Sequence, residues 1–167
     1  EKVKKGLIDM VCSVTGDYLW DERNKMYTTR YYLRAPTMLV RTKQPHAIER
    51  IALQGGYWFS EHVAADHPGK EIIFYKNVRE CFDALLKGDA DAVYANVYVT
   101  NYLLTERRYE SLAATSMSKY TSEICFGISK CADPRLLSIL DKCIQYTAPE
   151  RMDELVLKNT TKPRQIT

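Results

Sequence analysis

The chain states one short pattern twice. Lys5-Gly6-Leu7-Ile8-Asp9 stands near its start, and Lys87-Gly88-Asp89-Ala90-Asp91 repeats it about 80 residues later. In the second copy an apolar helix end, Phe82, Leu85 and Leu86, runs into Lys87-Gly88. Glycine tolerates the left-handed turn that closes a helix. The run from Ala90 to Ala95 that follows is too short for a helix and bounded by Asp and Asn, so it reads as a buried strand. A helix–glycine–strand unit stated twice at that separation predicts two similar α/β lobes rather than one longer sheet.

The totals exclude several classes. A chain of 167 residues, 46% hydrophobic and 27% charged, is of ordinary globular composition and long enough for a real core. No apolar run approaches the roughly 18 to 20 residues a membrane helix needs. The net charge of +3 is scattered over Lys2/Lys4/Lys5, Arg107/Arg108 and Lys158/Lys162/Arg164, which read as solvated ends, so no nucleic-acid partner is expected. Cys12, Cys81 and Cys143 fall at apolar positions and read as small core residues. Cys125 and Cys131 are placed to bridge across a turn, although a chain of this size does not require it. His62 and His67 are five apart and cannot share a helix face, so no metal site is expected. No motif ties a nucleophile to a base, and neither catalysis nor a cofactor is expected.

Taken in order, Leu7 to Val14 reads as a first strand, and Tyr18 to Tyr32 as an irregular, aromatic-rich stretch. Thr37 to Thr42 is a second strand, and Gln44-Pro45-His46 marks a lobe boundary. Arg50 to Gln54 is a strand delivering Gly55-Gly56-Tyr57-Trp58, with Ser60 capping a short helix. Two adjacent glycines between a strand and a helix let the backbone approach a ligand, beside free N–H groups at the helix start. Glu71 to Tyr75 is a strand, and Asn77 with Glu80 forms a capping box for a helix from Val78. Asn96 ends the next strand and caps a helix around Val97 to Glu106, with Val99, Tyr102 and Leu103 inward. Ser111 to Met117 is an extended return, and Glu123 to Ser129 is a separate strand. Asp133-Pro134 starts a helix with Leu136, Leu137, Leu140 and Ile144 buried. A last helix follows Pro149, and Lys158 onward is a polar tail. The class is α/β with mostly parallel sheets flanked by helices. Lobe 1 is expected at 1–43 and 119–167, and lobe 2 at 44–118.

These pieces resemble the bacterial extracellular solute-binding proteins of family 3, with the type 2 periplasmic-binding (Venus-flytrap) fold. The resemblance is carried in order by Lys5-Gly6-Leu7-Ile8-Asp9-Met10, Glu22-Arg23 before Tyr27-Thr28, Leu39-Val40-Arg41, Gln54-Gly55-Gly56-Tyr57, Ala84 to Ala92, and Phe126-Gly127-Ile128-Ser129 with Asp133-Pro134-Arg135. It implies that about a quarter of the domain, one strand–helix–strand of lobe 1, precedes Lys5-Gly6, so that lobe 1 is incomplete. It implies a small-molecule ligand (an amino acid, a carboxylate or a small aromatic) held between two lobes. The family's carboxylate-binding arginine falls on Arg23. The Ser/Thr after a glycine is replaced here by Gly56-Tyr57, and the ammonium-binding Asp by Asn96. A neutral amide cannot offer an ammonium the charge-assisted bond that a carboxylate offers.

The candidate ligand contacts are therefore Arg23, Gly56, Tyr57, Trp58 and Asn96, with Arg30 and Tyr31 near the crossing between lobes. Each has a plainer reading: Arg23 as a surface arginine paired with Asp21 or Glu22, Tyr57 and Trp58 as packing aromatics, Asn96 as a helix cap. Asn96 and Gly56-Tyr57 together favour the sensor domain of a membrane-bound receptor, such as a diguanylate cyclase or sensor histidine kinase, on the extracellular or periplasmic face. The alternatives are the solute-binding component of an ABC importer and a dehydratase on the same fold. A homodimer through the incomplete lobe 1 is the expected protein partner, because a missing strand leaves a sheet edge and apolar surface to cover.

Overall fold

In a computed structural model, which describes residues 1–16, 18–44, 46–56 and 58–160, both Lys-Gly elements turn as the repeat requires. Gly6 has φ 68° and Gly88 has φ 77°, the left-handed region where a side chain is strained. Gly6 closes a single turn in which the Leu7 N–H reaches the Lys2 carbonyl at 2.9 Å. Gly88 closes a full helix, and the next N–H, that of Asp89, reaches the Ala84 carbonyl at 2.9 Å. The two elements fall in different compact units, Glu1–Arg34 with Glu123–Asn159 and Ala35–Ser122, yet the strands that follow them belong to one seven-stranded hydrogen-bonded sheet, which corrects the expectation of two lobes in place of one longer sheet.

The second unit is the better packed. Its strands run in the order β7-β3-β6-β4-β5, with β3 at Leu33–Thr42, β4 at Arg50–Gln54, β5 at Glu71–Tyr75, β6 at Ala92–Asn96 and β7 at Leu112–Ser129. β4 pairs in parallel with β5 and β6, while β3 pairs antiparallel with β6, so the sheet is mixed. It is parallel where helices carry the crossovers, α2 (Trp58–Asp66) and α3 (Val78–Lys87), and antiparallel where extended chain returns. Ile51, Leu53 and Ala92 meet Phe59 and Val63 of α2 on one face. Ala52, Val93 and Ala95 meet Phe82, Leu85 and Leu103 on the other, where α3 and α4 (Val97–Leu104) lie. Burial on both faces explains why β4 and β6 read as continuous apolar runs.

The caps predicted at Asn77 and Asn96 are present. The Glu80 N–H donates to Asn77 Oδ1 at 2.9 Å, and Asn77 Nδ2 donates back to Glu80 Oε1 at 2.8 Å. After α4, a 3-10 turn at Arg107–Tyr109 is pinned to α3 by Tyr109, whose hydroxyl donates to Asp83 Oδ1 at 2.7 Å. Burial, helped by that carboxylate, pushes the Tyr109 phenol up to about 12.

The first unit contains β1 (Met10–Thr15), α1 (Tyr18–Asn24), β2 (Met26–Thr28), the end of β7, α5 (Arg135–Tyr146) and α6 (Pro149–Thr160). β1 and β2 each pair antiparallel with β7. β7 passes close under its neighbours: a Cβ on Gly127 would meet Met26 Sδ at 3.0 Å and Val11 Cγ2 at 3.1 Å. The buried cluster is small, made of Val3, Val14, Met26 and Cys125. α5 buries no residue fully, so Leu136, Leu137, Leu140 and Ile144 are half-covered rather than core.

Other expectations are corrected. β1 begins at Met10, because Gly6 and the bends after it leave Leu7 69% exposed before pairing starts. The aromatic stretch contains helix α1, since no glycine or proline interrupts 18–24, and Lys25 at φ 53° ends it. Ser60 lies inside α2, its hydroxyl donating to the Gln54 carbonyl at 2.7 Å instead of capping. Ser111 to Met117 and Glu123 to Ser129 belong to one 18-residue strand. Tyr102 faces solvent, and Cys12 and Cys143 are exposed. All five cysteines are free thiols, so Cys125 and Cys131 are not bridged. The last helix runs on to Thr160, past the expected start of the tail.

Candidate functional site

Parallel strands followed by helices place their carboxyl ends and the helix N-termini on one edge, where such sheets take ligands. In the second unit that edge is formed by the ends of β4, β5 and β6. The β4–β6 register sets Ile51 against Ala92 and Ala52 against Val93, which brings Gly55 alongside Asn96. The Gly55 N–H is held by the Tyr75 carbonyl at 2.9 Å. Gly56 follows at φ 83°, exposed, with nothing within 4 Å of where a Cβ would stand. Its backbone conformation, not crowding, is what calls for glycine.

Asn96 accepts the Val99 N–H at 2.9 Å as the cap of α4 and is half-buried. Opposite it in the β3–β6 ladder is Thr37, which is completely buried. Among the described residues the Thr37 hydroxyl has no hydrogen-bond partner. An orphan hydroxyl beside a strand-ending amide marks this edge as polar yet uncharged. Nothing in the sequence pointed to Thr37, because Thr37-Met38-Leu39-Val40 reads as ordinary strand.

The remaining predicted contacts divide between the units. Tyr57 lies outside the described residues, and of Trp58 only the backbone is described, at the start of α2. Arg23, Arg30 and Tyr31 belong to the first unit. Arg23 is exposed in the last turn of α1. The acids beside it are engaged elsewhere, Glu22 with Lys130 Nζ at 2.6 Å and Asp21 with the Thr28 hydroxyl. Among the described residues no ion pair or hydrogen bond holds the Arg23 guanidinium. The Arg30 N–H donates to Asp141 Oδ1 at 2.8 Å. Arg34 lies 4.9 Å over the Tyr31 ring and pairs with Glu123 at 2.8 Å. The Tyr31 face is therefore already occupied by a cation.

The Asp of the second Lys-Gly element works at the opposite end of β6. Asp91 is buried and accepts the Glu49 N–H at 3.1 Å, the Arg50 N–H at 2.8 Å, Arg50 Nη2 at 3.0 Å and His46 Nε2 at 2.7 Å. Burial alone would push its carboxyl up, but the hydrogen bonds from His46 and Arg50 outweigh burial and hold it well below the usual carboxylate range. This is a structural latch that joins the start of β4 to the start of β6.

No family model matches the sequence, and no curated protein matches it. Solved structures do. Over 94% of its length the chain superposes on the periplasmic VFT2 domain of Bordetella pertussis BvgS, with TM-score 0.81 and 19% identity, covering 69% of that chain. It covers only 32% of the longer BvgS periplasmic domain. The substrate-binding protein of an amino acid ABC transporter aligns over 94% of this chain and 73% of its own, at TM-score 0.77 and 20% identity. A histidine kinase sensor domain similar to periplasmic binding proteins aligns over 95% of this chain and 71% of its own, at TM-score 0.77 and 15% identity. The chain has the type 2 periplasmic-binding, Venus-flytrap fold.

Proposed function

We propose that this chain is a small-molecule sensing module from the extracellular or periplasmic face of a bacterial receptor. Its output would be a kinase or a diguanylate cyclase; the chain itself binds and does not catalyse. The observation that carries the reading is Asn96. The residue ending β6 at the ligand-binding edge is a neutral amide beside an orphan Thr37 hydroxyl, and it offers an α-ammonium no carboxylate. That argues against an amino-acid importer component and for a ligand whose neutral part meets this edge. Arg23, exposed and with no acid paired to it among the described residues, is proposed as the contact for an anionic group.

The test is a thermal-shift screen of carboxylates (succinate, benzoate, L-glutamine) against the chain and Arg23→Ala. We expect at least one carboxylate to raise the melting temperature of the native sequence and the shift to vanish in the variant. A ligand bound only by the folded state stabilises it according to its concentration over Kd. Equal shifts in both proteins would remove Arg23 from the site, and saturable binding of L-glutamine alone would favour the importer reading.

Self-association through the first unit is a further part of the proposal. Leu7, Ile8, Met10, Tyr27, Ile139 and Tyr146 are exposed in the first unit, around its small core. Light scattering on the isolated chain is expected to give about twice the single-chain mass at high concentration. A single-chain mass at every concentration would eliminate the dimer.

A further inference from the structure

A polar recess lies wholly within the second unit, between the C-terminal end of α2 and β7. Its volume is about 330 Å³, near the lower bound for small-molecule sites. Leu39 and Tyr94, cross-strand partners on β3 and β6, make its apolar floor. Asp66, His67, Ser118 and Lys119 supply the polar wall, with the flexible and exposed Met117 at the rim.

The hydrogen bonds around this recess fix what each group presents to it. His67 Nδ1 is 2.8 Å from the Val63 carbonyl, which can only accept, so Nδ1 carries the proton. In the neutral ring Nε2 is then an acceptor, and the Tyr94 hydroxyl, 3.2 Å away, donates to it. Tyr94 is left with oxygen lone pairs to offer. The Ser118 hydroxyl accepts the Tyr120 N–H at 3.2 Å, which leaves its own proton to donate. Asp66 Oδ2 takes the Tyr120 hydroxyl at 2.7 Å and Lys119 Nζ at 2.8 Å, and the ammonium keeps further protons. The rings are braced as well, Tyr94 against Tyr120 edge-on at 5.7 Å and against His67 at 5.6 Å.

Two consequences select the ligand. Asp66 and Lys119 neutralise each other, so a lone anion meets the carboxylate and a lone cation meets the ammonium. Donors (Ser118, Lys119) and acceptors (Tyr94, Asp66) line one recess together with the Leu39 side chain and the Tyr94 ring, which suits a molecule that carries both hydroxyls and C–H groups. We propose that this recess binds a neutral polyhydroxyl compound, a monosaccharide or similar sugar. The site uses none of the residues assigned above to Arg23 or to the edge at Gly56 and Asn96.

The experiment is a titration of the isotope-labelled chain with D-glucose and N-acetyl-D-glucosamine, followed by amide NMR. Saturable shifts are expected at His67 and at Ser116 to Tyr120, with Gly55, Gly56 and Asn96 unmoved. Tyr94→Phe and Ser118→Ala each remove one hydrogen-bonding group and should weaken binding by roughly tenfold. Both keep their neighbours' packing, and an unchanged melting curve checks that the fold is retained. Still amides with both sugars, equal shifts with acetate or methylammonium, or undiminished binding in both variants would each overturn the assignment.

Discussion

Replacing Asp91 with Ala is expected to destabilise the second unit by about 3 kcal/mol, the scale for removing one partner from a buried, hydrogen-bonded charge cluster. Most of that cost comes from the backbone. The Glu49 and Arg50 N–H groups end on this carboxylate and would be left without an acceptor at the start of β4. His46 and Arg50 contribute less, because their side chains are 62% and 37% exposed and remain hydrated when the partner is lost. For a chain of this size the melting temperature should fall by roughly 6 to 12 °C. Asp91→Asn keeps the shape and one acceptor and should cost less. The pH dependence has a definite sign. Asp91 titrates lower in the folded state than in the unfolded chain, so its stabilisation is fully present above about pH 4 and fades as pH falls through the folded value. The stabilities of the native sequence and Asp91→Asn, measured by urea unfolding, should therefore converge in acid. A gap that stays constant down to pH 2 would show that packing, not charge, holds the latch.

That latch illustrates how much of the molecule could be read from its sequence. Lys87-Gly88 announced a helix end and a strand, and Gly88 has the expected left-handed backbone. Asn77 with Glu80 announced a helix start, and the cap is formed, the Glu80 N–H donating to Asn77 Oδ1 while the Glu80 carboxylate takes the Asn77 side-chain amide and the Lys76 N–H. Such features are local: the residues that signal the structure are the residues that make it. The role of Asp91 was not legible, since all four of its donors come from residues more than 40 positions away. α1 was missed for a different reason. Tyr18 and Trp20 carry strand-like propensity, and with so short a helix tertiary context overrides propensity. The 18-residue β7 was read as two pieces because Ser118, Lys119, Thr121 and Ser122, which lie between them, are polar and carry no apolar strand signal. At the site, Gly56 and Asn96 were visible as a turn and a cap, yet the buried Thr37 hydroxyl that faces Asn96 gave no signal.

Asn96→Asp is expected to convert the specificity of the ligand edge without harming the fold. Asp caps a helix about as well as Asn, so the bond to the Val99 N–H survives the change. A negative charge at the N-terminus of α4 is also favoured by the helix dipole, typically by about 0.3 to 1 kcal/mol. The variant should thus melt no lower than the native sequence. Its new carboxylate, half-buried at the end of β6, supplies the charge-assisted acceptor that an α-ammonium requires. A hydrogen bond to a charged group is worth about 1.5 to 3 kcal/mol, which corresponds to a gain of roughly tenfold to a hundredfold in affinity. Calorimetric titration with L-glutamine and with succinate separates the outcomes. L-Glutamine should bind the variant more tightly than the native chain, while succinate, which has no ammonium, should gain nothing and should lose affinity by repulsion if it reaches this edge. A stable variant that binds L-glutamine no better would place Asn96 out of reach of any ligand and leave it a helix cap alone.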